Sequence, residues 1–352
     1  MTSCPFKKWI KRIRKTIYNI IINKSIEAMP DYSILSETKL TLLLENALLE
    51  YWNEQYDIAY LSSLKMHKIM FSVAERENLP ITRSWYILGS NIHDRELVRK
   101  EFGWNVVFNP QNINLQDGSI LNIDELKQEY SEIYQVLKNS VISFIESSRI
   151  IFTPRDEYLF NIYDKEAPKK FAGCYRASLD YRIFLTRLPK LIQVYNSEKL
   201  KMSCMNKTTM LHQSICQINE FHGLFELLYE YTDTIEEAIL KNAASGEKGG
   251  LNTSQYDFFN GQDQIYLDYV WKPFAKIISI ETVTGPRKEQ IISEYKTNLR
   301  DLSEYAVNIQ SNSKRAKELN LFLTKKEFNS VFIDKKQQLE KIIEAGDLLQ
   351  RG

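Results

Sequence analysis

Apolar residues recur at three- and four-residue intervals through most of this chain, the spacing that lines one face of an α-helix. Phe6, Trp9, Ile10, Ile13, Ile17, Ile20 and Ile21 predict an amphipathic helix over Phe6 to Asn23. Leu40, Leu43, Leu44, Ala47, Leu48 and Tyr51 mark a second helix, starting near Thr38 with Ser36 as its cap. A third runs from Ile58 to Asn78 on Leu61, Leu64, Met66, Ile69, Met70, Val73 and Ala74, and Pro80 closes it. A short helix is expected from His93 to Phe102. The stretch Trp104 to Ile123, with Asn109-Pro110 and Asp117-Gly118, reads as a loop holding one hairpin at most.

Helical periodicity resumes from Asp124 to Ser147, and again at Ala172 to Ser197, which Pro189 kinks or ends. It continues at Lys207 to Ala244, Gln262 to Ile280, Pro286 to Gln310 and Lys325 to Ala345. Gly246, Gly249 and Gly250 mark a flexible loop. The expected fold is all-α: two packed helical units with at most one small β-hairpin near 104–123. The expected division is a basic amphipathic N-terminal helix over 1–30, a helical domain over 36–165 and a C-terminal helical bundle over 171–350, with the break near Pro168.

Composition agrees with this pattern. The 352 residues are 43% hydrophobic and 26% charged, which is globular and far from the disordered regime. Only 12 Gly and 9 Pro argue for long helices and against a turn-dense β-sandwich. Four cysteines, Cys4, Cys174, Cys204 and Cys216, are too scattered for a disulfide framework, so a reducing, cytoplasmic setting is expected. No secretory signal and no membrane-spanning run stands out.

One segment carries a family likeness. Leu64-Lys65-Met66-His67-Lys68-Ile69-Met70-Phe71 is followed by Leu79-Pro80-Ile81-Thr82-Arg83-Ser84-Trp85-Tyr86-Ile87-Leu88-Gly89. This resembles the opening of the Panacea domain, the helical domain of many antitoxins, where a Lys-Leu-x-Lys-Leu-Leu-Tyr helix precedes a Trp in a turn ending Gly-Pro. Ser90 stands in place of that Pro. At its widest the resemblance covers Thr38 to Tyr163. It implies a non-catalytic protein-interaction module that neutralises a toxin or takes part in phage defence, needs no cofactor, and meets its protein partner through Lys65, Lys68, Trp85 and Gly89. The same residue types also serve as the core of a helix-turn unit.

The competing enzymatic reading is an HD-like metal-dependent phosphohydrolase. His67, then His93-Asp94, then Asp156 or Asp164, have the order needed to hold a divalent metal that activates water. Arg95-Glu96 stands where that family carries an apolar residue, Gly and Lys after its His-Asp pair. Cys204, His212, Cys216 and His222 form a second, looser ligand set without a Cys-x-x-Cys pair. Neither a Walker-type loop nor a Gly-x-Ser-x-Gly elbow is present. A third reading rests on the basic face of the leading helix. Lys7, Lys8, Lys11, Arg12, Arg14 and Lys15 could dock on nucleic-acid phosphates or another anionic surface, although the net charge is only +1.

Overall fold

The structure is a computed structural model and describes residues 30–55, 61–93, 105–106, 111–115, 118–148, 150, 153–244 and 251–325. The leading basic helix, the segment after His93 and the last expected helix lie outside these residues. The chain folds as two compact units, one holding residues up to 81 and 94–148, the other 82–93 and those from 149 onward. Both are mainly helical.

In the first unit, α1 (Glu37–Gln55) starts where Ser36 Oγ accepts the Lys39 amide at 3.3 Å, as the sequence predicts. It is buried nearly all round, as the central helix of a bundle must be. The short strand β1 (Leu61–Ser62) leads into α2 (Ser63–Arg76), capped by Ser62 Oγ. Met66, Ile69, Met70, Val73 and Ala74 form its buried stripe. Asn78 closes α2 at φ 52°, with Asn78 N–H on Glu75 O and Leu79 N–H on Ala74 O, a Schellman ending that hands the chain to Pro80.

The chain then leaves this unit for a hairpin, β2 (Arg83–Tyr86) and β3 (Gly89–Ile92), that belongs to the second. It returns with β4 (Asn105–Val106), which pairs antiparallel with β1. The expected hairpin near 104–123 is present as β5 (Asn112–Asn114) and β6 (Ile120–Asn122), with Gly118 at φ 82° in its turn. Ile113 packs there with Leu42 and Ile123. α3 (Ile123–Glu129) and α4 (Ser131–Ser148) complete the unit, and α4 packs on both α1 and α2.

The second unit contains α5 (Arg155–Lys165), α6 (Lys169–Val194), α7 (Ser197–Cys216) and α8 (Phe225–Ala244). A helical rod follows α9 (Thr253–Asn260): α10 (Gln262–Ile265), a π-helical turn (Tyr266–Trp271) and α11 (Lys272–Thr282). Then come α12 (Lys288–Asn298) and α13 (Ser303–Glu318).

Several expectations need correcting here, among them the single helix over Pro286 to Gln310, which is the two helices α12 and α13. The segment 83–92 reads in the sequence as a turn alone, yet it is a hairpin: its strands are too short for a visible period, and a distant helix supplies partners for them. Pro168 does not separate the units: it joins α5 to α6, which pack together inside the second one, and the division falls at residues 148 and 149. Pro189 sits inside α6 without ending it. The single helix expected over Lys207 to Ala244 is two helices, α7 and α8, joined by a 3-10 turn at Asn219–Leu224.

Candidate functional site

The 83–92 hairpin is held by residues of its own unit. Arg83 and Thr284 exchange both backbone hydrogen bonds, at 3.0 and 2.9 Å. The Trp85 amide donates to Thr282 Oγ1 at 3.0 Å, and Tyr175 OH donates to Tyr86 O at 2.7 Å. At the tip, Trp271 Nε1 donates to Ile87 O, also at 2.7 Å. The π-helical turn that carries Trp271 is a feature often found where a helix must re-aim a side chain. Trp85 packs edge-on against Tyr175, whose ring in turn meets Trp271 at 5.5 Å. Gly89 sits at φ 93°, a backbone state that glycine takes without strain.

This geometry decides what the residues singled out in the sequence can do. Trp85 and Gly89 are buried in the second unit, in its aromatic cluster and its turn. In the first unit Lys68 is only 1% exposed, within the buried side of α2. Lys65 is half-buried, and burial lowers the pKa of its amine. Lys68, Trp85 and Gly89 thus contribute to the interior of their own units. The basic residues Lys7 to Lys15 lie outside the described residues.

His93 follows the last residue of β3, and its amide donates to Thr82 O at 2.9 Å. Its Nε2 lies 2.7 Å from Ser84 Oγ, which lies 2.6 Å from Ser279 Oγ on α11. Burial, and then the charge of Arg287, push the imidazole pKa down to about 4, so the ring is neutral near pH 7. A serine beside a neutral histidine is the chemistry of a nucleophile and its base. Here both serines are buried, and their hydroxyls tie the hairpin to α11. Of the expected metal set, His67 is half-buried on α2 of the first unit, His93 bonds Ser84 in the second, and Asp94 lies outside the described residues.

The looser ligand set lies within the second unit, with His212 and Cys216 bonded to other side chains. His212 bonds Thr232 Oγ1 at 3.0 Å and stands edge-on to Tyr229, while Cys216 Sγ is 3.1 Å from Tyr229 OH. Cys204 is buried, and burial followed by the charge of Glu236 pushes its thiol up to about 12. Among the described residues no group of three or more His, Cys, Asp or Glu could hold a metal ion. No helix among them is long and apolar enough to cross a membrane.

The surface of the second unit carries a feature that sequence reading passes over. Met202, Met205 and Met210 on α7 are 50%, 44% and 53% exposed, and Tyr229 on α8 is exposed beside His212. Flexible, polarizable methionines presented to solvent suit a contact surface that re-packs around a partner. The signal is the recurrence of Met within an otherwise polar stretch. It is easily missed because the helix is expected to begin only at Lys207, beyond two of the three.

Neither a curated protein nor a solved structure matches the chain. The family model of a domain of unknown function, DUF8098, matches residues 34–345, and the chain belongs to that family.

Proposed function

We propose that this chain is a non-catalytic, cytoplasmic protein-interaction module that binds and restrains a partner protein, in the manner the Panacea resemblance implies for a toxin or defence component. The observation that carries the reading is the exposure of three methionines on α7, Met202, Met205 and Met210, and of Tyr229 on α8. Several large apolar side chains left in solvent along one helix favour a partner that covers them. The Lys65 to Phe71 helix and the Trp85 to Gly89 turn then build the scaffold, their apolar side chains spent on the core.

Co-expression with the products of neighbouring genes tests the reading. A toxic neighbour should be bound and its toxicity relieved, and the triple variant Met202→Lys, Met205→Lys, Met210→Lys should lose both effects while folding normally. If no neighbour is bound and no toxicity is relieved, the interaction role is wrong.

A further inference from the structure

The second unit holds a cavity of about 380 Å³ that the partner-binding reading does not use. Its volume falls within the roughly 300–1,000 Å³ of small-molecule sites. Arg182 and Arg187 reach it from α6, and Arg155 from the first turn of α5. Arg155 and Arg182 repel each other here, and Arg187 adds a third positive residue to the lining. Among the described residues none of the three is in an ion pair, although Asp156 and Asp263 also line the cavity.

Arg182 is the informative member. Its Nε is buried without a hydrogen-bond partner, which is costly for a charged donor. Burial, then the like charge of Arg155, disfavour its protonated form, and Asp263 only partly offsets them. Such a cluster is stable when an anion completes it, because a guanidinium offers a planar fork matched to phosphate oxygens. One further set of donors points to the same chemistry: α5 opens with Pro154, which gives no side-chain cap to the first-turn amides.

The rest of the lining sets the shape of the ligand. Leu179 and Ile183 give an apolar wall one helical turn long, and the carboxylates of Asp156 and Asp263 accept from hydroxyl or amino donors. Free phosphate would leave this part of the space empty. We propose that the cavity binds a small phosphomonoester that also carries a sugar or ring with hydrogen-bond donors, of the size of a nucleoside monophosphate. The phosphate sits among Arg155, Arg182 and Arg187, the organic part lies on Leu179 and Ile183, and its donors meet the aspartates.

Isothermal titration of the full chain with adenosine 5′-monophosphate, inorganic phosphate and adenosine tests this. The monophosphate should bind saturably at one site per chain, phosphate should compete weakly, and adenosine should not bind measurably. Arg182→Gln and Arg187→Gln should each weaken the monophosphate at least about tenfold, the loss of one charge-assisted pair. Lys190→Gln, an exposed charge further along α6, should leave binding unchanged. Arg187 is exposed, so Arg187→Gln keeps the test sound even where Arg182→Gln fails to fold. The proposal is overturned if the folded chain binds no monophosphate at millimolar concentration, or if binding survives Arg187→Gln undiminished. It is equally overturned if only single-stranded oligonucleotides bind, because the site would then be a strand-binding surface.

Discussion

Trp271 donates its indole N–H to the carbonyl of Ile87 at 2.7 Å, joining a π-helical turn to the tip of a β-hairpin 184 residues earlier in the chain. With the bonds from Thr284, Thr282, Tyr175 and Ser279 it ties residues 82–93 to the second unit, although the residues on either side belong to the first. Trp271→Phe keeps an aromatic ring but leaves the Ile87 carbonyl without its donor and thins the contact with Tyr175. The expected cost is about 2–3 kcal/mol in urea unfolding. Hydrogen exchange should rise most at the amides of residues 83–92, and an unchanged hairpin in Trp271→Phe would mean the tip is held by other contacts.

His93 gives the second unit a pH dependence with a defined sign. The unfolded chain protonates this ring near its ordinary value of 6.5, while the folded chain resists until about 4. Between those values the unfolded state binds more protons, so the contribution is complete above pH 6.5 and is lost as the pH falls toward 4. Its ceiling is on the order of 3 kcal/mol. His93→Gln should flatten the fall in stability across that window, with the ring titration followed by NMR in the parent protein. A variant that keeps the full slope would assign it elsewhere, with His212, also held low by burial, as the next candidate.

The first unit should respond in a lower window. Burial pushes the Glu50 carboxyl up, but hydrogen bonds from Tyr134 and Lys138 and the charges of Lys127 and Lys138 outweigh it and hold the pKa at about 2. This stabilisation is present above the ordinary value of 4.5 and is lost as the pH falls toward 2. Glu50→Gln should cost about 1 kcal/mol at pH 7 after allowance for solvent screening. The difference between the two proteins should shrink from pH 4.5 downward and close only below about pH 2, and a difference that persists there would have to come from packing.

Some of this architecture is legible in the sequence because its causes are local. Ser36 caps the Lys39 amide three residues on, and Met66, Ile69, Val73 and Ala74 share a face because of helical spacing alone. The Asp-Gly pair before the β6 strand signals the turn at Gly118. The rest depends on distant partners. Ser84 meets Ser279 across 195 positions, and nothing in the period around Arg83 to Tyr86 foretells Thr282 or Thr284. The arginine cavity is hidden for the same reason: Arg155 lies across a helix-helix connection from Arg182, and their convergence is a property of the packing of α5 on α6.

Gln262 and Asn312 offer the sharpest test of how polar groups are satisfied inside the second unit. Both are buried, and their amides bond reciprocally, Gln262 Nε2 to Asn312 Oδ1 at 3.1 Å and Asn312 Nδ2 to Gln262 Oε1 at 3.0 Å. Gln262 Nε2 also reaches Phe258 O, and its backbone carbonyl accepts from Tyr231 OH. Gln262→Leu strands both amide groups of Asn312, while Asn312→Leu strands Gln262 Oε1 and leaves Nε2 on Phe258 O, so the first should cost about 2–4 kcal/mol and the second somewhat less. The double variant leaves no amide stranded. Its cost should fall short of the sum of the singles by about 1–3 kcal/mol in a double-mutant cycle. Strict additivity would show that each amide finds water or another partner once its mate is gone, and that the pair does not act as a unit in fixing α10 against α13.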